Sequence, residues 1–326
     1  MKAIVVEQAG PPEVLQLRDI PRPQVKPGWV LVRVKAFGLN RSEVYTRQGH
    51  SGPAVKFPRV LGIECVGVVE DASDSGLAPG ETVAAVMGEM GRDFDGGYAE
   101  YALLPAGQVM PVQTKLAWDE LAALPEMYLT AWGCLVEAIA LQKGQTLLVR
   151  GGTSSVGMAA ISLARALGAT VAATTRNAAK AQALRNAGAE HVVIDSGQIA
   201  PEVRRLFPNG VDGVLELIGT VTLLDSLKCP GTRGIVCYAG LLGNAWSLEK
   251  FEPMPAIPST VRLTTYTTHI VTAANSTAPL QRIVQDVEAG RLPLHRDRVF
   301  RFDRIAEAHR YMEENRATGK LVVTVD

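Results

Sequence analysis

The hydrophobic positions of this chain change their period near residue 118. Before it, apolar residues come in short runs broken by Gly and Pro: "KAIVVE", "LQLRDI", "WVLVRVKAFG", "CVGVVEDA", "ETVAAVMG" and "GYAEYALLP". In the third run Val30, Val32 and Val34 alternate with Leu31, Arg33 and Lys35, the period of two that marks a half-buried strand. These runs predict an antiparallel, barrel-like half. From "WDELAALPEMYLTAWGCL" onward the texture is helical, and strands apolar along their whole length follow, separated by helices. They are "TLLVR", "TVAATT", "HVVI", "GVLELI" and "GIVCYAG", with a sixth in "VRLTTYT". Such strands predict a parallel sheet covered on both faces.

After "TLLVR", Val156, Ala159, Ala160, Leu163, Ala164 and Leu167 fall on one stripe at helical spacing. Asn177 is suited to cap the next helix and Gly188 to end it. Past residue 268, two amphipathic helices precede a lone closing strand, "LVVTV". A single strand needs a sheet to join, and the amino-terminal half is its natural host. The expected class is therefore α/β: a doubly wound parallel sheet over 119–267, and a mostly-β domain assembled from 1–118 and 268–326.

Composition removes several function classes. Thirty-three Lys and Arg face thirty-three Asp and Glu, which leaves no electrostatic footprint for nucleic acid or an anionic membrane. No run approaches the roughly 18 apolar residues of a membrane span. The opening "MKAIVVEQAGPPEV" is broken too early to serve as a signal peptide. Cys65, Cys134, Cys229 and Cys237 have no ligand-like spacing, so they read as small buried thiols in a reducing compartment. A cytoplasmic protein is expected, with no nucleic-acid or membrane partner.

The candidate chemistry begins at "VRGGTSSVG". Gly152, Ser154 and Gly157 occupy the three positions of G-x-G-x-x-G between a strand and a helix. Such a turn, with Ser155 and Val156 inside it, aims backbone N–H groups at a pyrophosphate on the helix amino terminus. Ser154 is small enough for the middle position, and its hydroxyl can add a phosphate hydrogen bond. The competing reading is a glycine turn kept for helix–sheet packing. An NAD site wants Asp or Glu about 20 residues on. The second strand instead ends in Thr175 and Arg176, with Lys180 one helical turn beyond. Two cations suit a 2′-phosphate, which makes NADPH the expected cofactor. The alternative for Arg176 is a side chain that merely faces solvent.

Together with "GLNRSEVYTRQG", "FPRVLGIECVGVVE", "PGETVAAV", "GGYAEYALLP", "LTAWGCL", "GAEHVVID", "GVDGVLELIG" and "AHRYMEENRATGKLVVTV", that loop resembles a known family over nearly the whole chain. The family is the zinc-independent, zeta-crystallin-like quinone oxidoreductases of the medium-chain dehydrogenase/reductase superfamily. The resemblance implies a GroES-like catalytic domain, a Rossmann domain, an active site in the cleft between them, and a homodimer. Zinc-dependent relatives carry Cys where this chain has Asn40, and His where it has Ile63 beside Glu64; the four-Cys lobe is also absent. No metal is therefore expected, and His50, His191, His269, His295 and His309 are too scattered to supply one.

By the same resemblance Asn40 would hold the cofactor end or substrate oxygen, Glu43 would brace its loop, and Tyr45 would offer a phenol near the acceptor. A packed aromatic is the equal alternative for Tyr45. Ser51 stands where quinone reductases often carry a second tyrosine and enoyl-thioester reductases a catalytic one. Thr130, Gly240 and Leu241 match residues around the nicotinamide. Asp195 stands where relatives often have tyrosine, an unhelpful charge near a 2′-phosphate. The implied reaction is hydride transfer from NADPH to a quinone or a conjugated carbonyl. An alkenal or enone reductase is the nearest alternative, and a non-enzymatic NADPH-binding protein a more distant one.

Overall fold

The structure, a computed structural model, describes residues 1–53 and 55–325. It divides into two compact units, Met1–Leu129 with Thr268–Asp326, and Thr130–Thr267. By this division the helical stretch up to Leu129 goes with the first unit. The reason is local. The Glu126 N–H donates to Glu64 (3.0 Å) and the Tyr128 hydroxyl to the Pro293 carbonyl (2.6 Å), which ties that helical stretch to the first unit.

The first unit opens with β1 (Lys2–Val6), β2 (Gln16–Asp19), β3 (Trp29–Leu39), β4 (Arg59–Val60), β5 (Glu64–Asp71), β6 (Thr82–Val86), β7 (Tyr101–Pro105) and β8 (Val109–Pro111). The second contributes β9 (Thr146–Arg150), β10 (Thr170–Thr175), β11 (His191–Ile194), β12 (Val211–Glu216), β13 (Pro230–Tyr238) and β14 (Arg262–Thr265). The chain then returns to the first with β15 (Arg296–Arg301) and β16 (Lys320–Thr324).

In the first unit a sheet of order β15-β16-β3-β5-β6-β8, with β7 also on β3, packs with the small sheet β2-β1-β4 around one core. The "LVVTV" strand finds the host foreseen for it: β16 runs antiparallel to β3, Leu321 opposite Leu39. Its other neighbour, β15, was not foreseen. Arg296, Asp297, Arg298 and Arg301 give that segment no apolar alternation, because it is an edge strand whose charges stand in solvent. The alternating valines of β3 behave as expected, with Val30, Val32 and Val34 buried and Arg33 exposed.

In the second unit the order is β11-β10-β9-β12-β13-β14, and every neighbouring pair is parallel. That is the doubly wound order, in which the chain leaves one edge and restarts beside β9. Ligands of such sheets bind outside the carboxyl ends of the strands at this switch point, here between β9 and β12. The helix Ser155–Ala166 buries Ala159, Ala160, Leu163 and Ala164 of the expected stripe, leaves Val156 and Leu167 half-buried, and also buries Met158, Ile161 and Ser162 from outside it. Asn177 caps a short 3₁₀ turn, Ala178–Lys180, before the helix proper, and Gly188 ends that helix at φ 113°.

Candidate functional site

At the carboxyl edge of the second unit's sheet, β9 runs into the turn Gly151–Ser154. Gly151 adopts φ 90°, a left-handed conformation that costs glycine least. A Cβ on Gly157 would lie 2.5 Å from the Gly151 carbonyl oxygen, so only glycine lets the helix close onto the turn. Ser154 is the N-cap: its hydroxyl accepts from Gly157 N–H (3.1 Å) and donates to the Gly151 carbonyl (2.8 Å). The hydroxyl proton expected to reach a phosphate is thus engaged inside the turn.

The backbone N–H groups of Thr153, Ser155 and Val156 make no hydrogen bond to the chain among the described residues. They stand at the start of a twelve-residue helix. Orphan amides and the helix dipole together form a ready anion site. The residues present therefore fit a dinucleotide pyrophosphate. Gly157→Ala is expected to weaken nucleotide binding at least tenfold, because the clash displaces these amides. Titration by nucleotide fluorescence checks it, with Ser154→Gly, which leaves the turn room, as the milder comparison.

Beside the turn, the Thr175 hydroxyl closes a local loop, accepting from Asn177 N–H (3.1 Å) and donating to its carbonyl (3.2 Å). Arg176 follows, exposed and without an ion pair among the described residues, and Lys180 is half-buried one turn on. Asp195 corrects an expectation. Both of its oxygens are held by Arg150, at 2.9 and 2.8 Å, and they also accept from Gly197 N–H (2.8 Å) and the Thr174 hydroxyl (3.3 Å). Burial resists ionisation there, but the hydrogen bonds and charge of Arg150 outweigh it and hold the carboxyl below its usual range. It is not a loose charge.

Arg150 itself is fully buried and was given no role in the sequence reading. It also donates to Asp225 (2.9 Å), Ser226 Oγ (3.0 Å), the Thr222 carbonyl (3.2 Å) and the Gly197 carbonyl (3.0 Å). Its register partner across the switch point is Glu216 on β12. The only advance signal was its place as the last residue of a strand entering the glycine turn. Gly240, after β13, lies against β12 through its N–H to the Glu216 carbonyl (3.3 Å), with half-buried Leu241 next to it. Thr130 is buried in the helix Pro125–Trp132.

The first unit holds the other candidates. Asn40 caps the helix Arg41–Arg47, which carries Glu43 and Tyr45. The Asn40 amide is engaged at each polar atom: Nδ2 donates to Glu64 (2.9 Å) and Glu43 (3.3 Å), and Oδ1 accepts from Lys320 (2.6 Å). Lys320 is fully buried, 2.5 Å from Glu64 and 3.9 Å from Glu126. An ammonium ion of the chain thus stands among these carboxylates, and Ile63 contributes only its N–H, to Glu43 at 3.0 Å. Tyr45 is 8% exposed, so most of its surface is packed. Ser51 shares a 2.7 Å hydrogen bond with Thr46.

Burial pushes the Glu43 carboxyl up to about 7, against the pull of the Ile63 N–H and the Lys320 charge. An acid whose folded pKa is raised contributes stability that is full below its unfolded value, about 4.5, and lost as pH rises through about 7. Urea unfolding between these pH values is expected to show a downward slope that Glu43→Gln removes. The histidines do not gather: His309 bridges Arg47 (3.3 Å) and Tyr98 (3.1 Å), while His269 faces Glu89 (2.9 Å). Among the described residues no group of three or more His, Cys, Asp or Glu is arranged to hold a metal ion.

A doubly wound sheet with an anion-binding glycine turn, joined in one chain to a GroES-like β unit, defines a nicotinamide-dependent oxidoreductase. Comparison with known proteins agrees. Residues 26–114 match the alcohol dehydrogenase GroES-like domain and residues 187–323 the zinc-binding dehydrogenase family. The quinone oxidoreductase of Homo sapiens is 28% identical over 99% of this chain and 97% of its own length. That of Rattus norvegicus is 30% identical over 75% of this chain and 74% of its own. The solved quinone oxidoreductase of Pseudomonas syringae pv. Tomato superposes with a TM-score of 0.90 at 26% identity, covering 99% of each chain. A mycobacterial structure described as complexed with NADPH superposes with a TM-score of 0.88 at 26% identity, covering 100% of each. The chain belongs to the quinone oxidoreductase group of the medium-chain dehydrogenase/reductases. It is an oxidoreductase that uses a nicotinamide cofactor and a small-molecule substrate.

Proposed function

We propose that the protein transfers hydride from NADPH to a quinone or a similarly electron-poor acceptor, without zinc. The observation that carries this reading is the edge of the second unit: unpaired amides at a helix start, an exposed Arg176 at the end of β10, and Asp195, whose N–H bonds Thr175, already bound by Arg150. The names of the relatives, quinone oxidoreductases, and the NADPH of the mycobacterial structure support it.

When bound, the cofactor supplies the hydride. The chain binds, orients and excludes water. Thr153, Ser155 and Val156 N–H groups hold the pyrophosphate, Arg176 and Lys180 the 2′-phosphate, and Thr130, Gly240 and Leu241 the nicotinamide end. In the first unit Asn40, its amide already engaged, acts as a positioning residue that seats the helix bearing Tyr45, the candidate phenol near the acceptor. The hydride brings a quinone two electrons and one hydrogen, and a single further proton from solvent completes the hydroquinone. In this reading no zinc is held there, because Asn40 and Ile63 supply neither thiolate nor imidazole.

NADPH oxidation followed with 1,4-benzoquinone and with a 2-alkenal tests the reading. Faster turnover with the quinone is expected. Faster turnover with the alkenal favours an enone reductase, and binding without turnover on either favours a non-catalytic role. No helix among the described residues is long and apolar enough to cross a membrane; the reading is of a cytoplasmic enzyme. Among the described residues strand β14 pairs with β13 alone, and we assign its other edge to the partner in a homodimer. Light scattering at micromolar concentration is expected to report twice the chain mass, and a monomer contradicts it.

A further inference from the structure

We propose that Arg150 is a specificity-determining residue: by binding both oxygens of Asp195 it keeps that carboxylate from acting on the nucleotide ribose, and so permits a 2′-phosphate at this edge. The inference rests on the NADPH reading and deepens it. It follows from where the two residues stand. The Asp195 N–H donates to the Thr175 carbonyl at 2.9 Å, so Asp195 directly flanks the end of β10, where Arg176 begins. A carboxylate at the end of a strand in this part of a doubly wound sheet has two effects when free. It accepts from ribose hydroxyls, which favours NADH, and it repels a 2′-phosphate.

Here it is not free. The guanidinium meets Asp195 with two parallel hydrogen bonds, at 2.8 and 2.9 Å, the bidentate geometry that matches a carboxylate best. The remaining Asp195 acceptor positions take Gly197 N–H and the Thr174 hydroxyl. Arg150 is held from behind by Asp225, Ser226 and two carbonyls, so the fork cannot swing away. Ser226 in turn donates to Glu216, which also accepts from the N–H groups of Ile218 (2.7 Å) and Gly219 (3.0 Å). The cluster has a defined partner for every arm of Arg150, and its inner acids are 0–4% exposed. At the edge the Asp195 oxygens are occupied by the guanidinium, which Asp225 shares from behind.

Lysine keeps the charge but cannot grip both oxygens, so Arg150→Lys releases part of Asp195. Dissociation constants for NADPH, NADH, 2′,5′-ADP and 5′-AMP are measured by calorimetry on the wild type, Arg150→Lys, Asp195→Asn and the double variant. Arg150→Lys is expected to lower the NADPH-over-NADH preference about tenfold, the scale of a like-charge contact in a partly buried site. The same loss is expected in the 2′,5′-ADP-over-AMP preference, and the double variant is expected to restore both. A purely structural role would weaken all four ligands alike and would not be rescued.

Asp195→Asn alone is expected to leave NADH affinity within about twofold and the NADPH preference no lower than in the wild type, because the carboxylate is already occupied. A tenfold loss of NADH binding in that variant would place Asp195 on the ribose and overturn the proposal. So would an unchanged preference in Arg150→Lys. Should Arg150→Lys fail to fold, as circular dichroism would reveal, Asp195→Asn decides by itself. A wild type with no preference for NADPH overturns both this inference and the reading beneath it, whereas a wild type that prefers NADPH confines any failure to Arg150.

Discussion

Replacing Lys320 with Met is expected to destabilise the first unit by about 3–5 kcal/mol, the cost of leaving buried charges without their counter-ion. The side chains of Lys320 and Glu64 are 0% and 1% exposed, and the pair is 2.5 Å apart. Desolvation penalises both ions, and it is offset only because Asn40, Glu126 and each other complete their shells. Methionine fills the space of the stem but leaves Glu64 facing Glu43 and Glu126 with no cation. Calorimetry is expected to show the midpoint of that unit falling on the order of 10 °C. Asn40 would lose the donor that fixes its amide orientation, so the helix Arg41–Arg47 is expected to exchange its backbone protons faster. A loss below about 1 kcal/mol would mean that water replaces the ammonium there, and that Asn40 is held by other means.

The second large effect concerns binding. Arg176→Ala is expected to weaken NADPH binding roughly 10- to 100-fold, the worth of a charge-assisted hydrogen bond to a phosphate, and to leave NADH within about twofold. The side chain is exposed and has no ion pair among the described residues, so its removal leaves no buried acid unpaired. Fold stability is accordingly expected to change by no more than about 0.5 kcal/mol. Fluorescence titration with both nucleotides checks this, and equal losses for the two would show that Arg176 supports the turn rather than a 2′-phosphate. Raising the salt concentration is expected to narrow the difference between the nucleotides, since the contact is exposed to screening.

The parts of this fold most legible in the sequence were those where one period dominates. The β9–β13 strands have largely apolar centres, as in Leu147–Val149 and Ile235–Cys237, and the helix after "VRGGTSSVG" carries an alanine stripe. Patterns of that kind are dictated by burial on two sides or on one. Strand β15 escaped because an edge strand buries little and so carries no alternation to read. The helical texture that begins near residue 118 says nothing about which core a helix packs into; the Glu126 and Tyr128 hydrogen bonds tie that stretch to the first unit.

The site shows the same division. Gly152, Gly157 and the helix start could be read because backbone geometry leaves few residues able to occupy them. The roles of Ser154, Asp195 and Asn40 could not, since a polar side chain can face either the protein or a ligand. In each case the protein supplies the partner, namely Gly151 and Gly157, Arg150, and Lys320 with two glutamates. Arg150 and Lys320, both long cations, sit at strand ends that look like solvent-facing termini in one dimension. Their burial emerges only from pairings between segments distant in the chain, such as β16 with β3.

The most direct test of the central claim is kcat/KM for NADPH and for NADH, measured on the wild-type enzyme with 1,4-benzoquinone as acceptor. The account predicts reduction of the quinone with NADPH favoured at least tenfold, in enzyme treated with a chelator as well as untreated. Equal or greater efficiency with NADH, or loss of activity on chelation, would contradict it.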